Sequence, residues 1–404
     1  MNDTWRTPLL VIAAGCVIAM MSFGTRSSFG FFLEPMINVN GWSRETFSLA
    51  MAIQNLIWGL AMPVAGALAD KYGPMRVIMI GSLLYGMGIL GMANYESAVS
   101  LHIFGGLITG LGVAFTSFSI AMAAIARVVG PERRSLALGL GTAAGSMGQV
   151  VFSPLALMWI NAFGWYDALV IQAALMLLIL PIAFILPNNT KAKGELESNQ
   201  SLTNALSEAR NHHGFILLTI GFFVCGFQLG FITIHLPSYI NSLGLDYGVA
   251  ATSLALIGGF NIVGSLLAGA AGQRWSKRKG LSFIYLSRGI VIVGLLLLPK
   301  TELLIYIFAA TMGFTWLSTV PLTSAIIAQV FGLKYMATLF GVVFFSHQLG
   351  SFIGIWLGGK FFDETGSYDI VWWLGAMLGF GAAFIHWLID ERPLERLSIV
   401  SKNY

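Results

Sequence analysis

The chain has 404 residues, of which 56% are hydrophobic and only 10% are charged, with a formal net charge of +4 at pH 7. A soluble domain usually carries about 25% charged residues to cover its surface, so the composition excludes a soluble enzyme. Apolar runs of 18 or more residues, each long enough to cross a bilayer, recur from one end of the chain to the other. The sequence therefore predicts a polytopic membrane protein.

Twelve membrane-spanning helices are predicted in chain order. The first follows MNDTWRTPLL, which lacks a strong basic segment, and the apolar run behind it is too long for a signal peptide, so we interpret it as a span. The 47 glycines fit such a bundle, because small residues let membrane helices approach closely. The predicted spans cover residues 8–33, 43–69, 74–94, 98–127, 134–160, 164–187, 214–241, 247–273, 280–299, 303–330, 335–361 and 367–389.

The basic residues predict the orientation of these spans, because loops rich in Lys and Arg stay in the cytoplasm. On one side of the membrane, the loops hold only Arg44, Lys300 and Lys360. Two more basic residues, Arg26 and Arg288, fall within spans, and the other 17 of the 22 lie on the opposite side with both termini. We expect a protein of the cell (inner) membrane with cytoplasmic termini. The asymmetry of the loops explains the net positive charge, so no nucleic-acid partner is expected.

Several kinds of chemistry have no signature in the sequence. The two cysteines, Cys16 and Cys225, fall within apolar spans, where we expect packing and neither a disulfide nor a metal site. A phosphate-binding loop of the Gly-x-x-x-x-Gly-Lys-Ser/Thr type is absent, which argues against ATP as the energy source. We expect no cofactor, no metal and no catalytic residues, and the protein is not predicted to be an enzyme.

The chain contains an internal repeat. A polar segment, residues 188–213, divides it into an N-terminal half (1–187) and a C-terminal half (214–404). A shift of 202 residues places Gly24 on Gly226 and the motif GWYD (164–167) on GSYD (366–369). The sequence predicts two parallel six-helix repeats joined by a cytoplasmic linker, an arrangement typical of secondary transporters with a site between the repeats.

A loop motif carries a family resemblance. GALADKYGPMR (66–76) follows the second span, and a degenerate copy, GAAGQRWSKRK (269–279), follows the eighth. With twelve spans and a central linker, the chain resembles the major facilitator superfamily. The resemblance implies an all-α membrane protein with twelve transmembrane helices in two pseudo-symmetric six-helix halves. It also implies that Asp70 and Arg76 are gating residues, which latch helix ends together in the outward-facing state; the alternative is a solvated turn.

The stretch GWSRETFSLAMAIQNLIWGLAMPVAGALADKYG is similar to the monocarboxylate and oxalate/formate branch of that superfamily, which carries small organic anions. Proton-linked animal members of the branch have an Asp and an Arg four residues apart in the eighth span. The aligned positions here are Asn261 and Ser265. A proton mechanism that depends on that pair cannot be transferred to this chain.

Arg26 is the candidate substrate ligand. A mid-membrane arginine costs about 2.5 to 3.5 kcal/mol on insertion scales and does not deprotonate, so it needs a cavity or a partner. All 18 acidic residues fall in loops, termini or span ends. A substrate carboxylate would supply the missing charge, and the planar guanidinium can bind it through two hydrogen bonds. The alternative is that Arg26 bonds backbone carbonyls or a vestibule water.

Helical spacing predicts neighbours for Arg26. Phe29 follows at an interval of three, and the shift of 202 residues pairs Arg26 with Gln228 and Phe29 with Phe231. Arg26 and Gln228 could then bind the head group while the two phenylalanines clamp an apolar tail. Core packing explains the phenylalanines equally well.

Further polar and aromatic residues occupy predicted spans. Arg288 lies eight residues into the ninth span, about 12 Å deep, where it would touch the substrate or order its neighbours. Gln149, Asn261 and Trp316, like Gln54 and Asn55, would line the pathway or bond between helices, with Trp316 as an aromatic gate or wall. His347 and His235 would carry protons, because histidine titrates near physiological pH; alternatively, neighbouring groups satisfy their nitrogens. His347 is also a candidate substrate contact.

These observations predict a monomeric secondary active transporter of small organic anions, above all monocarboxylates. It would work by proton symport with alternating access in the lipid bilayer. The alternative is a proton-driven exporter of drugs or metabolites. Exporters of lipophilic cations commonly carry a deep acidic residue, which this chain lacks. A transport-dead sensor would need a soluble domain larger than the predicted linker and tails.

Overall fold

The computed structural model describes residues 6–94, 97–128, 131–187, 201–332 and 335–394, with the backbone but not the side chain at 70, 123, 126–128 and 131–139. These ranges are almost entirely helical and contain no strand. The helices are α1 (Pro8–Ser27), α2 (Leu33–Asn40), α3 (Arg44–Tyr72), α4 (Pro74–Ala93), α5 (Ala98–Leu101), α6 (Thr109–Phe115), α7 (Phe118–Val128), α8 (Pro131–Ala183), α9 (Leu202–Asn211), α10 (His213–Ser242), α11 (Tyr247–Arg274), α12 (Lys277–Leu297), α13 (Glu302–Thr315), α14 (Thr319–Phe331), α15 (Met336–Thr365) and α16 (Asp369–Trp387). A 3₁₀ turn, Phe29–Phe32, links α1 to α2, and a π-helical segment, His102–Ile108, links α5 to α6.

Eleven helical stretches within the described ranges are long and apolar enough to cross a membrane. One of them, Leu140–Ala183, has 44 residues and turns at Gly164, whose φ of 84° interrupts the helix. Glycine adopts this conformation without the strain that a Cβ would add. That stretch therefore supplies two spans, which gives twelve and confirms the predicted all-α membrane fold.

Polar caps fix where several spans begin and end. Thr7, Ser43 and Asp246 each accept a hydrogen bond from a backbone N–H in the first turn of α1, α3 and α11. These bonds satisfy donors that have no partner inside a helix. Gly41 and Gly366, with φ of 65° and 72°, follow the last residues of α2 and α15 in the left-handed conformation typical of helix ends.

The buried apolar residues form two large clusters. One consists almost entirely of residues before 187, and the other almost entirely of residues after 208. Within the predicted linker, residues 202–211 form the short helix α9, in which Ala205 and Ala209 are buried. The boundaries of the halves at 187 and 214 stay a prediction, and residues 188–200 lie outside the described ranges.

Three spans are interrupted near their middle. The first changes from α-helix to a 3₁₀ turn at Phe29, α6 and α7 are separated at Thr116, and α13 and α14 at Trp316. The hydroxyls of Ser27 and Ser28 donate to the carbonyls of Gly24 and Thr25 at 2.7 and 2.8 Å, and such bonds compete with a regular helix.

The interruption of the first span alters one predicted geometry. The interval of three predicts Phe29 on the face of Arg26 only if the helix continues past both residues. The α-helix ends at Ser27, so this spacing no longer determines where the Phe29 ring points.

The spans run alternately between two ends of the bundle, which we call the linker end and the far end. Hydrogen bonds between described residues of the two halves lie at the far end or near mid-depth. At the far end, α3 packs so closely on α15 that a Cβ added at Gly359 would lie 2.4 Å from Ser48 Oγ.

Candidate substrate site between the halves

Arg26 lies half-buried in the last turn of α1. Its Nη2 donates to Asn55 Oδ1 at 2.5 Å, and its guanidinium lies over the Trp58 ring, 4.7 Å from the centroid. Its Nε is buried without an acceptor among the described residues, and no described carboxylate pairs with it. A neutral amide and an aromatic face stabilise a guanidinium without neutralising it, so Arg26 keeps its full charge here.

The second span orients the groups around Arg26. The side-chain amide nitrogen of Asn55 donates to Met51 O at 2.8 Å, which leaves the amide oxygen facing Arg26. Trp58 follows on the same face of α3, since residues three apart are neighbours on a helix. The Trp58 indole N–H is buried and has no acceptor among the described residues.

The eleventh span brings the C-terminal half to the same place. The Phe344 ring meets the Trp58 ring edge to face, with centroids 5.4 Å apart, and stacks on His347 at 5.7 Å. His347 Nδ1 lies 3.0 Å from Gln348 Oε1. Gln348 lies against Gly59, where an added Cβ would be 2.7 Å from Gln348 Cβ. Arg26, Asn55, Trp58, Phe344 and Gln348 thus form one group across both halves, which we call the central cluster.

Arg288 is fully buried in α12 and is held by protein groups. It donates to the backbone carbonyls of Thr315 and Trp316, the latter at 2.6 Å. Its Nη1 lies 3.4 Å from both Gln228 Oε1 and Cys225 Sγ. A cation at the carbonyl end of a helix is favourable, so Arg288 stabilises the end of α13 and orders its neighbours.

Asn261 is hydrogen-bonded to the interruption of the tenth span, between α13 and α14. Its Oδ1 accepts from the backbone N–H of Leu317 at 2.9 Å, and its Nδ2 donates to Ser146 Oγ of the other half at 2.9 Å. Trp316 is buried within the interruption. Gln149 lies buried against Gly258 of α11, and neither polar atom of its side chain has a partner among the described residues.

Other predicted site residues lie inside the halves. Phe29 and Phe231 are buried in different apolar clusters, and Phe231 packs on Trp372 with centroids 4.8 Å apart. The structure does not bring these two phenylalanines together. Gln228 donates to Gly375 O at 2.9 Å, so the C-terminal half holds its amide.

His235 is fully buried with both nitrogens hydrogen-bonded. Nε2 lies 2.8 Å from Ile355 O, and Nδ1 lies 3.3 Å from the Tyr368 hydroxyl. A carbonyl only accepts, so Nε2 carries the proton and Nδ1 accepts from Tyr368. These contacts fit a neutral histidine whose hydrogen-bonding needs are met by the protein.

Polar groups join the two halves at the far end. Arg44 pairs with Glu34 and donates to Ser238 of the other half, and its guanidinium lies over the Phe362 ring. The Asp363 carboxylate accepts from the backbone N–H groups of Arg44 and Glu45, at 3.0 and 2.7 Å. We call these contacts the far-end closure. A carboxylate of one half thereby stabilises the helix N-terminus of the other half.

The predicted gate at the linker end is partly outside the described residues. The side chain of Asp70 is one of those not described, and its backbone lies in the last turns of α3. Arg76 is exposed near the start of α4. The latch that the family motif implies therefore stays a prediction.

Sequence reasoning missed the far-end closure, Trp58, Phe344 and Gln348. Trp58 had a usable signal, because it lies three residues after Asn55 and so shares its helix face. The contact between Arg44 and Asp363 joins residues 319 apart in the chain, and no local pattern indicates it. Among the described residues, no group of three or more His, Cys, Asp or Glu could hold a metal ion.

Comparison with known proteins agrees with this architecture. The family profile described as Major Facilitator Superfamily matches residues 15–355. The chain is 26% identical to the uncharacterized MFS-type transporter YcxA of Bacillus subtilis, over 88% of each chain. It is 25% identical to monocarboxylate transporter 13 of Rattus norvegicus, covering 89% of this chain and 83% of that protein.

A solved structure of a D-xylose–proton symporter superposes with a TM-score of 0.74 over 97% of this chain and 100% of that one, at 15% identity. A bacterial homologue of the human lysosomal transporter Spinster, in an inward-facing and unoccupied conformation, gives 0.71 over 96% of both chains, also at 15% identity. At this identity the likeness concerns the fold alone. Because the family profile covers most of the chain, this protein belongs to the major facilitator superfamily and is a membrane transporter, not an enzyme.

Proposed function

We propose that the protein is a secondary active transporter of small organic anions, above all monocarboxylates, and that Arg26 binds the substrate carboxylate. The observation that carries the proposal is the unneutralised charge of Arg26, which has one neutral acceptor and an aromatic ring as its described partners. A substrate carboxylate would offset the cost of this charge in the membrane through paired hydrogen bonds. The relatives named monocarboxylate transporters support the substrate class.

The mechanism we propose is alternating access by rocking of the two halves, 1–187 and 214–404, in a monomer of the cell (inner) membrane. The described conformation has polar contacts that join the halves at the far end. We take it as the state open toward the linker end, which the basic residues assign to the cytoplasm. Asp70 and Arg76 would latch that end in the opposite state.

The proposed energy source is proton symport, with His347 as the proton carrier. The amide oxygen of Gln348 accepts from Nδ1–H of His347, which leaves Nε2 as the site that gains a proton. His235 is the weaker candidate, because both of its nitrogens already have protein partners. Gln149 and Asn261 lie at the contact between α8 and α11, where they would respond to movement of the halves.

Uptake by proteoliposomes tests the substrate site. Purified protein should take up labelled lactate or pyruvate in a saturable way when the outside is acidified. Arg26→Lys should lower the initial rate at least about tenfold, because lysine is a point charge that lacks the planar fork. The matched control is Arg392→Lys, since Arg392 is exposed at the linker end beside Asp390 and lowers the pKa of that carboxyl to about 2.

Two results would count against the proposal. Unchanged uptake by Arg26→Lys contradicts the anion site, and the absence of carboxylate uptake by the unsubstituted protein contradicts the substrate class. The variant His347→Gln tests proton coupling separately from substrate binding. It should abolish acceleration by the proton gradient while leaving exchange of labelled for unlabelled substrate, and gradient-driven uptake in this variant would rule out His347 as carrier.

A further inference from the structure

The central cluster holds more hydrogen-bond donors than acceptors. Arg26 Nε, Trp58 Nε1 and Gln348 Nε2 are all buried without an acceptor among the described residues. They come from three helices, α1, α3 and α15, and α3 packs on α15 across the boundary between the halves. Native proteins rarely leave buried donors unpaired, because each costs free energy. Trp58 contacts the Arg26 guanidinium and Gln348 packs against Gly59, the residue next to Trp58. Unpaired donors this close to a permanent cation indicate a site for an anionic acceptor.

Gln348 supplies a donor to this site from the C-terminal half. Its side chain has no solvent exposure, and its oxygen is already used by His347. Only the two N–H donors of its amide remain for another partner. Because Gln348 lies on the C-terminal half and Arg26 on the N-terminal half, an anion bound to both would connect the halves.

Aromatic rings form the wall beside these donors. Phe340, Phe344 and His347 follow one another on a single face of α15, at intervals of four and three residues. Phe344 stacks on Phe340 with centroids 6.4 Å apart and on His347 at 5.7 Å. The Trp58 ring adds an edge-to-face contact from the other half. A planar ring would extend this arrangement favourably, whereas a hydroxyl group would find few polar partners along it.

We propose that Trp58, Gln348 and Phe344 are specificity-determining residues, and that the substrate is a monocarboxylate bearing an aromatic ring. The N–H groups of Trp58 and Gln348 complete the binding of the carboxylate beside Arg26, and Phe344 receives the ring. This inference rests on the proposed function and narrows its substrate class.

Binding of benzoate and acetate to the purified full-length protein tests it, by calorimetry or by the rise in melting temperature. The unsubstituted protein should bind benzoate at least about tenfold more tightly than acetate. Trp58→Phe removes one donor and keeps a ring, so both affinities should fall about tenfold, the effect of one hydrogen bond to a charged group. Gln348→Leu repeats this test from the other half.

Phe344→Leu should lower benzoate affinity about fivefold and acetate affinity less, because acetate has no ring to lose contact with Phe344, and a cooperative thermal unfolding transition shows that the variant is folded. Two exposed residues supply the controls, Trp275→Phe and Phe283→Leu, whose positions are 73% and 67% exposed. Arg26→Gln, measured alongside, should abolish binding of both acids.

Equal affinity of the unsubstituted protein for the two acids overturns the inference and leaves the proposed function standing. The same holds if the Trp58, Gln348 and Phe344 variants behave like their controls while Arg26→Gln abolishes binding. If Arg26→Gln changes neither affinity, or if the unsubstituted protein binds neither acid, the proposed function fails and this inference fails with it.

Discussion

The far-end closure and the central cluster each place an arginine between the halves, but the two arginines have different partners. Arg44 at the far end has a carboxylate partner, Glu34, and a hydroxyl partner on the other half. Arg26 near mid-depth has a neutral amide oxygen and an indole ring, and its Nε has no described acceptor. The charge of the guanidinium is therefore balanced by a carboxylate at the far end, and it is not balanced by any described carboxylate in the central cluster.

We propose that this difference separates a structural contact from the candidate binding site. A paired and hydrogen-bonded arginine gains little from a further anion, because its charge is already balanced. An unbalanced one raises the free energy of the empty protein, and an anionic ligand relieves that cost. We infer that the far-end closure holds the halves together and that the central cluster binds substrate.

Asn55→Asp should convert the central cluster into a neutralised pair like that of Arg44. Because the new carboxylate would occupy the guanidinium, affinity for benzoate should fall at least about 100-fold, equivalent to about 2.7 kcal/mol. The melting temperature without ligand should not fall below that of the unsubstituted protein. Titration calorimetry and thermal unfolding measure the two effects.

The control for this change is Asn241→Asp, which adds the same charge at an exposed position at the end of α10. It should leave benzoate affinity within about twofold, since exposed charges are screened by solvent. An Asn55→Asp variant that still binds benzoate like the unsubstituted protein would show that Arg26 is not the anion ligand.

Asp363→Ala should weaken the far-end closure by removing the acceptor of two backbone N–H groups. The carboxylate is exposed, so water replaces part of the loss, and we expect about 1.4 kcal/mol, or a tenfold shift toward separated far ends. Spin labels at the exposed positions Val39 and Ile370, one on each half, would report a longer distance. Asp390→Ala at the linker end is the control, and an unchanged distance distribution contradicts the role of Asp363.

Arg288→Lys should have the smallest effect on substrate binding. Lysine cannot span the carbonyls of Thr315 and Trp316 as the guanidinium does, so the melting temperature should fall by about 5 °C. Benzoate affinity should stay within about twofold of the unsubstituted value. A loss of affinity as large as that of an Arg26 variant would instead place Arg288 in the anion site.

The fold was largely predictable from the sequence, because runs of apolar residues and the charge of the loops depend on the bilayer and little on tertiary packing. The third span was predicted to end at residue 94 and ends at Ala93. The helical stretch that turns at Gly164 was predicted as two separate spans. The interruptions at Phe29 and Trp316 were not predicted. Serine hydroxyls and a distant arginine stabilise them, and neither has a strong local signature.

The residues of the candidate site, whose role stays a prediction, could be identified from the sequence only in part. A lone arginine in an apolar span indicated Arg26, since its cost is independent of its neighbours. The shift of 202 residues paired Phe29 with Phe231, but equivalent positions in a repeat need not face one cavity, and both rings are buried within their own clusters. Gln348 follows the predicted His347 directly in the chain. Successive residues on a helix point about 100° apart, so the prediction of His347 did not extend to Gln348. The contact of Gln348 with α3 depends on how α15 packs, which the sequence does not indicate.

The most direct test of the central claim compares a carboxylate with its neutral amide. Titration calorimetry with benzoate and benzamide, on the unsubstituted protein and on Arg26→Gln, isolates the charge because the two ligands have nearly the same shape. We predict that the unsubstituted protein prefers benzoate by at least about 100-fold and that Arg26→Gln binds the two ligands equally weakly. Equal binding by the unsubstituted protein, or a preference that survives in Arg26→Gln, would contradict the claim that substrate neutralises Arg26.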